Sequence, residues 1–168
     1  MTAMTSSTNS AGALAIAPAA PEREVVITRL LNAPPALVFK AWLDPQHIAQ
    51  WWGPNGFTTT IFEMDVRVGG VGRYIMHGPD GVDYPNKVVY LEIVEPERVV
   101  YWHGTGDDPD PDAFQNTVTF VARGDKTEVT LRALFATVAA RDATLAFGAV
   151  EGGNQTLARL EAFLTTGA

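Results

Sequence analysis

The chain has 168 residues, which is enough for one domain with a sizeable core and too few for two domains of ordinary size. It contains 19 acidic and 12 basic residues, and the resulting formal net charge of −7 disfavours binding to nucleic acid or to anionic membranes. The sequence has no cysteine, which excludes disulfides, thiolate nucleophiles and cysteine-ligated metal sites, and no apolar run approaches the roughly 20 residues of a transmembrane helix.

The first 21 residues differ from the rest of the chain in composition. They are mostly small and polar, and the apolar stretch over residues 13–17 is too short for the core of a secretory signal. We therefore expect a flexible tail over residues 1–21, a single domain over residues 22–168, and a cytoplasmic location.

The first elements of the domain are recognisable by the residues that break them. Residues 24–31 are rich in β-branched side chains and predict a strand that ends at Asn32-Ala-Pro-Pro. Asn32 is placed to cap a first helix that has proline in its first turn, and Asp44 is placed to cap a second, short helix through Trp51. Glycine and proline within residues 53–56 then predict a loop.

Strand-like segments fill the middle of the chain, and helices close it. Six strands separated by glycine, proline and aspartate turns are predicted at residues 57–66, 72–77, 82–94, 98–103, 114–122 and 127–135. We expect four loop residues, 123–126, in the last hairpin. A helix over 139–147 precedes an amphipathic helix whose stripe includes Leu157 and Leu160. This order predicts an α+β fold with an antiparallel sheet and segregated helices.

Short motifs recur at characteristic distances from residue 22 to residue 164. They are Arg29–Asn32 with Pro34-Pro35, Val38–Trp42, Trp51-Trp-Gly-Pro with Gly56-Phe57, Asp65, Gly69-Gly70, Tyr74, His77–Gly81, Tyr84-Pro85, Tyr90–Ile93, Pro96–Arg98 and Leu157-x-x-Leu160. Together they resemble the helix-grip proteins of the START-like (SRPBCC) superfamily, and more closely its branch named after the activator of heat-shock-protein-90 ATPase.

The resemblance implies a curved antiparallel sheet of about six to seven strands around a long C-terminal helix, with a cavity between them. Superfamily members include lipid carriers, hormone receptors and polyketide cyclases, so the resemblance alone leaves the function open. Chaperone binding is not carried over, because the co-chaperone that names the branch has a separate N-terminal domain that is not found in this sequence.

Alternation along the strands indicates which side chains face the C-terminal helix. The candidate ligand-binding residues are Trp51, Trp52, Phe57, Tyr74, Met76, Tyr90, Glu92, Phe120, Phe135, Phe147 and Gly153. Glu92 shares a face with Tyr90 by this rule, and an inward carboxylate would indicate a functional group because burying it unpaired is costly. Alternatively, Glu92 faces solvent or pairs with an arginine, and at least one of the two tryptophans is structural.

Gly153 departs from the pattern of the branch, in which tryptophan commonly follows the first glycine. The resemblance then implies either an enlarged cavity or a gap that Phe147 or a loop tryptophan fills. A glycine inside a helix also costs about 0.5–1 kcal/mol relative to alanine.

Metal and catalytic templates do not match the chain. His47, His77 and His103 lack metal-site spacing, and the run from Asp108 to Asp112 lacks the glycine and glutamate of a calcium loop. We therefore expect no metal, no cofactor, and neither nucleic acid nor membrane as a partner, while a homodimer stays open.

The favoured function is non-catalytic binding of a small apolar or aromatic molecule in the cavity. One alternative is a cyclase- or hydrolase-like enzyme in which Glu92, Tyr90 or His103 moves a proton. A second is a chaperone-linked or regulatory interaction domain.

Overall fold

The structure, a computed structural model, describes residues 16–107, 110 and 112–166. Most of the expected tail and Asp108 of the aspartate-rich loop therefore lie outside the described residues. The elements in chain order are β1 Glu24–Leu31, α1 Pro35–Leu43, α2 Pro45–Trp51, β2 Thr58–Met64, β3 Val71–His77, β4 Asp83–Val94, β5 Arg98–Gly104, β6 Phe114–Arg123, β7 Lys126–Leu134, α3 Val138–Ala146 and α4 Ala149–Thr166.

The seven strands form one antiparallel sheet in the order β1-β7-β6-β5-β4-β3-β2. The strands from β2 to β7 follow one another as a meander, and β1 joins at the far edge by pairing with β7. The helices cover one face of the sheet, with α2 against β2, α1 against β6 and α4 against β1. The predicted α+β helix-grip fold is confirmed.

Capping explains where the two short helices begin. Asp44 caps α2 as predicted, because its Oδ1 accepts a hydrogen bond of 2.9 Å from the backbone N–H of Gln46. The prediction that Asn32 caps α1 is wrong. The cap position is Pro34, which is extended, and Pro35 supplies the first helical residue, where a missing N–H costs nothing.

The hairpin between β6 and β7 is tighter than expected. Arg123 pairs directly with Lys126, so the loop has two residues rather than four. Gly124 has a φ of +67°, a left-handed conformation that glycine adopts without strain. The predicted boundary is wrong because the charged flanking residues, Arg123 and Lys126, resemble loop residues in sequence but belong to the strands.

The core lies between the helices and the inner face of the sheet. The buried side chains of α4 include Leu157 and Leu160, and α1 contributes Val38 and Trp42. Truncating such a buried leucine to alanine typically costs about 2–5 kcal/mol, so these contacts hold α4 firmly on the sheet.

Residues 16–20 lie against the sheet ahead of β1. The backbone N–H of Ala17 donates to Oε1 of Gln115 at 2.8 Å, and the Gln115 side chain donates back to the Ala17 carbonyl at 3.3 Å. Ala20 also donates to the carboxylate of Glu24. The boundary between a tail over residues 1–21 and a domain over residues 22–168 stays a prediction.

Candidate ligand-binding site

A cavity of about 260 Å³ lies between the sheet and α4. Its apolar wall is formed by side chains from three strands and the segment after β7: Val25, Ile27, Phe114, Leu131, Ala133 and Phe135. The helix contributes Ala149, Gly153 and Thr156, so small residues on α4 face the larger side chains of the sheet.

A wider groove of about 610 Å³ adjoins this cavity. Four residues line both spaces: Asp112, Phe135, Thr144 and Ala149. The groove lies at the junction of α3 and α4, where Gly148 turns the chain with a φ of +89°. The groove therefore adjoins the cavity at the end of the sheet where α3 meets α4.

Trp52 forms the wall between this cavity and a much smaller space. It lines the cavity and also a cleft of about 30 Å³, roughly enough for one water molecule, between α2 and the inner face of β2–β5. The loop that follows Trp52 is tied to α4, because Nη1 of Arg159 donates to the carbonyls of Gly53 and Pro54 at 2.8 and 3.0 Å.

His103 contributes a buried imidazole to the cavity lining. Its Nε2 lies 2.8 Å from Oδ1 of Asn86, whose Nδ2 donates to the carbonyl of Tyr84. Since Oδ1 can only accept, Nε2 carries the proton and Nδ1 is an acceptor. Burial lowers the pKa of His103 to about 4, against which Asp110 acts weakly. The imidazole is therefore neutral at pH 7.

Asn116 contributes a second buried polar side chain to the cavity lining. Its Nδ2 donates to the hydroxyl of Tyr101 at 3.0 Å, and burial raises the pKa of that tyrosine to about 12. Within the part of the chain that the structure describes, Oδ1 of Asn116 and Nδ1 of His103 are both buried without a hydrogen-bond partner, as is Nε1 of Trp52.

The family model described as activator of Hsp90 ATPase homolog 1-like protein matches residues 32–165, which include β2–β7, α1–α3 and all but the last residue of α4. The chain belongs to this family. No curated protein matches it significantly.

Several solved structures share this fold over most of the chain. Protein Ms6760 from Mycobacterium smegmatis is 26% identical, with a TM-score of 0.78 over 88% of this chain and 94% of the other. Protein CV1439 from Chromobacterium violaceum is 27% identical, with a TM-score of 0.72 over 83% and 96%. Protein NE0264 from Nitrosomonas europaea is 22% identical, with a TM-score of 0.79 over 90% of this chain and 100% of the other. At this level of identity the match shows the fold alone.

The candidate ligand-binding residues predicted from the sequence lie in different parts of the structure. Trp52, Phe135 and Gly153 line the 260 Å³ cavity. Phe57 and Phe147 line the adjoining groove, and Tyr74 and Tyr90 line the 30 Å³ cleft. Trp51, Met76 and Phe120 line none of these three spaces.

Trp51 is structural, as one of the alternatives allowed. Its side chain is fully buried, and its Nε1 donates to the carbonyl of Ala41 at 3.1 Å. Its ring packs edge-on against the ring of Trp42, with centroids 4.9 Å apart. Phe120 packs against the same tryptophan and against Phe39, so it also belongs to the core.

Glu92 lies on the outer face of the sheet, not toward the cavity. The register between β4 and β5 shifts after Tyr90, so that Tyr90 pairs with Tyr101 and Glu92 pairs with Val100. This bulge adds one residue and reverses the alternation beyond it. Glu92 accepts a hydrogen bond of 2.6 Å from Nε of Arg98, which lowers the pKa of the carboxyl group.

Gly153 lies where α4 packs directly against Ile27 of β1. A Cβ at this position would overlap Cδ1 of Ile27. Phe147 is 91% exposed and does not fill the gap, whereas Trp52 lines the same cavity as Gly153. The missing side chain thus serves both the cavity and the close packing of α4 on the sheet.

Sequence reasoning did not select Asn116, and it considered His103 only as a group that could move a proton. A signal for Asn116 was present: in β6 it alternates with Phe114, Val118 and Phe120, so a single polar residue interrupts an apolar face. An amide at such a position indicates either a structural hydrogen bond or a ligand contact.

Two other classes of site find no support in the described part of the chain. No group of three or more histidine or acidic residues there could hold a metal ion. None of the described helices is long and apolar enough to cross a membrane.

Proposed function

We propose that the protein binds a small apolar or aromatic molecule, without covalent chemistry, in the cavity between the sheet and α4. The observation that carries this proposal is the 260 Å³ cavity itself, which is lined mainly by apolar side chains and adjoins a wider groove. A cavity of about 150 Å³ is already large enough to bind benzene, so this one has room for a two-ring molecule. The fold and family membership are consistent with a ligand-binding or regulatory domain.

The chemistry of the lining supports binding rather than proton transfer. The one carboxylate among the described lining residues of the cavity is Asp112, and its side chain is exposed. His103 has a pKa of about 4 and is therefore a weak base. Glu92 and Tyr90, the other residues considered for an enzyme, do not line the cavity.

A cavity-filling substitution tests the proposal. Ala133 lies on β7 and lines the cavity, so Ala133→Phe would place a ring in the space that a ligand needs. The control is Ala122→Phe, which adds the same ring at an exposed position of β6. The unchanged protein and the control should bind aromatic probes such as naphthalene and 2-naphthol saturably in isothermal titration calorimetry.

The filled variant should lose this binding while it keeps a cooperative melt. The proposal fails if the folded, unchanged protein shows no saturable binding to a broad panel of aromatic and aliphatic probes. It also fails if Ala133→Phe binds as tightly as the control.

A further inference from the structure

Three polar side chains form a hydrogen-bonded chain on the outer face of the sheet, away from the cavity. Nε2 of His77 lies 2.8 Å from Oγ1 of Thr60, and Nδ1 of the same ring lies 2.8 Å from Oδ1 of Asp83. The three residues come from β3, β2 and β4, which are neighbours at one edge of the sheet. We call them the outer triad. None of them lines the cavity or the adjoining groove.

Strand pairing positions the outer triad. Asp83 pairs directly with His77, whereas Thr60 pairs with Ile75, two residues earlier on β3. Thr60 is therefore a diagonal neighbour of His77 on the same face, within reach of a side-chain contact. Tyr74 lines the inner cleft, and alternation places His77, three residues later, on the opposite face. All three side chains are thus held by residues of regular strands.

The direction of each hydrogen bond follows from the groups involved. The carboxylate of Asp83 can only accept, so Nδ1 of His77 carries the proton of the neutral ring. Nε2 is then the basic nitrogen, and it accepts from the hydroxyl of Thr60. A hydroxyl, an imidazole that can take its proton, and a carboxylate that orients the imidazole are the parts of a nucleophilic triad, in the order that acyl transfer requires.

The surroundings allow an ester to reach the hydroxyl. Thr60 is exposed, as are 37% of the His77 side chain and 59% of the Asp83 side chain. Ile75 pairs with Thr60 on one side and with Pro85 on the other, so a small apolar surface lies beside the hydroxyl. β2 is also an edge strand in the described part of the chain, and N–H groups on the free side of such a strand can donate to a developing oxyanion.

We propose that Thr60 is a nucleophile that takes acyl groups from small carboxylic esters with a good leaving group, such as aryl esters. His77 is the catalytic base, and Asp83 is a positioning residue that holds the imidazole in the required tautomer. This activity is independent of the ligand binding proposed for the cavity, because the two sites lie on opposite faces of the sheet.

The reaction has two steps. Oγ1 of Thr60 attacks the ester carbonyl as its proton passes to Nε2 of His77; the bond to the leaving oxygen then breaks, and the leaving group takes that proton. The products are an alcohol or phenol and an ester of Thr60. In the second step, His77 takes a proton from water, the water oxygen attacks the acyl carbon, and the proton goes to Oγ1 as the carboxylic acid leaves.

Hydrolysis of p-nitrophenyl acetate, followed by absorbance, tests the proposal. Thr60→Val keeps the shape of a β-branched side chain but removes the hydroxyl, and it should release p-nitrophenol at least about tenfold more slowly than the unchanged protein. His77→Gln should lose as much. Thr60→Ser keeps a hydroxyl and should keep most of the rate. The matched control is Thr58→Val, an exposed position of β2 that faces His77 in the strand register. It should react like the unchanged protein.

Mass spectrometry of the acid-quenched reaction assigns the nucleophile. The peptide that contains Thr60 should carry one acetyl group in the unchanged protein and none in Thr60→Val. The proposal is overturned if Thr60→Val reacts as fast as Thr58→Val, or if acetyl groups are found only on lysine or histidine. Either result leaves the proposed ligand binding untouched, because that binding is measured with naphthalene and 2-naphthol.

The role of Asp83 has its own measurement. The ¹⁵N spectrum of the unchanged protein should show the proton of the neutral His77 ring on Nδ1. Asp83→Asn should shift the ring nitrogen resonances and slow the release of p-nitrophenol, and Asp83→Glu, which keeps a carboxylate, should restore both. A proton on Nε2 in the unchanged protein would overturn the proposal without any variant, because that nitrogen could not then act as the base.

Discussion

Nε2 of His103 lies 2.8 Å from Oδ1 of Asn86 on the neighbouring strand. The amide is held in this orientation by its own hydrogen bond to the carbonyl of Tyr84. The pair therefore determines which nitrogen of the imidazole carries the proton, and Nδ1 is left as an acceptor without a partner among the described residues. A contact between two strands thus fixes the tautomer of a buried histidine.

Acid should destabilise the protein through His103. Burial lowers its pKa from an ordinary 6.5 to about 4, so the neutral form is favoured on folding. At pH 7 the imidazole is mostly neutral in both states and the shift has little effect on stability. Between pH 6.5 and 4 the unfolded chain takes up a proton that the folded chain does not, and stability falls by up to about 3 kcal/mol.

Urea melts of the unchanged protein and of His103→Gln, at pH 7 and pH 4.5, measure this effect. The unchanged protein should lose about 2–3 kcal/mol more than the variant, because the other titrating groups are common to both. Identical pH dependence in the two proteins would show that the imidazole is not buried in its neutral form.

Asn86→Asp should raise the pKa of His103. It replaces a neutral acceptor with a carboxylate that contacts the same Nε2–H, and an opposite charge at this distance favours the imidazolium by about 1–3 pKa units. An NMR titration of the His103 ring protons would follow the change. Asn86→Leu is the control, since it removes the acceptor without adding charge and should not raise the pKa.

The two neighbouring tryptophans should respond differently to substitution. Trp51 is fully buried and hydrogen-bonded to Ala41, so Trp51→Ala should cost about 3–5 kcal/mol in a denaturant melt. Trp52 lines the cavity, so Trp52→Phe should keep most of the stability but reduce the change in tryptophan fluorescence that bound 2-naphthol produces. A response of undiminished size in Trp52→Phe would place the binding elsewhere.

Sequence patterns located the strands and helices well because glycine, proline and aspartate mark most of their ends. The segments 24–31, 72–77 and 98–103 agree with β1, β3 and β5 to within one residue. The facing of individual side chains was harder to predict. The bulge after Tyr90 places Glu92 on the outer face, and nothing in the local composition of β4 signals it.

The position of the cavity along the sheet also depended on packing that a sequence pattern does not show. Tyr74 and Tyr90 face inward as predicted from alternation, but α2 and Trp52 pack over them and leave only a narrow cleft. The open space lies at the other half of the sheet, under α4. How closely each helix packs on the sheet depends on the loops that connect the helices to the strands. One such loop is held in place by the hydrogen bond from Arg159 to the carbonyl of Gly53.

Gly153 and Ile27 should be energetically coupled. Replacing the glycine with alanine gains about 1 kcal/mol of helix propensity, but the new Cβ overlaps Cδ1 of Ile27. In the unchanged background these effects oppose each other, and Gly153→Ala should be neutral or destabilising by up to about 2 kcal/mol, as overpacked sites are. Ile27→Val removes Cδ1 and by itself should cost about 0.5–1.5 kcal/mol.

In the Ile27→Val background, Gly153→Ala should therefore become stabilising by about 0.5–1 kcal/mol, because the overlap is gone and the helix propensity remains. Denaturant melts of the four proteins give the coupling energy directly from the double-mutant cycle. If the two substitutions simply add, the glycine is not required by the approach of α4 to β1. Its absent side chain would then serve the cavity alone, and a larger residue at position 153 should reduce probe binding without reducing stability.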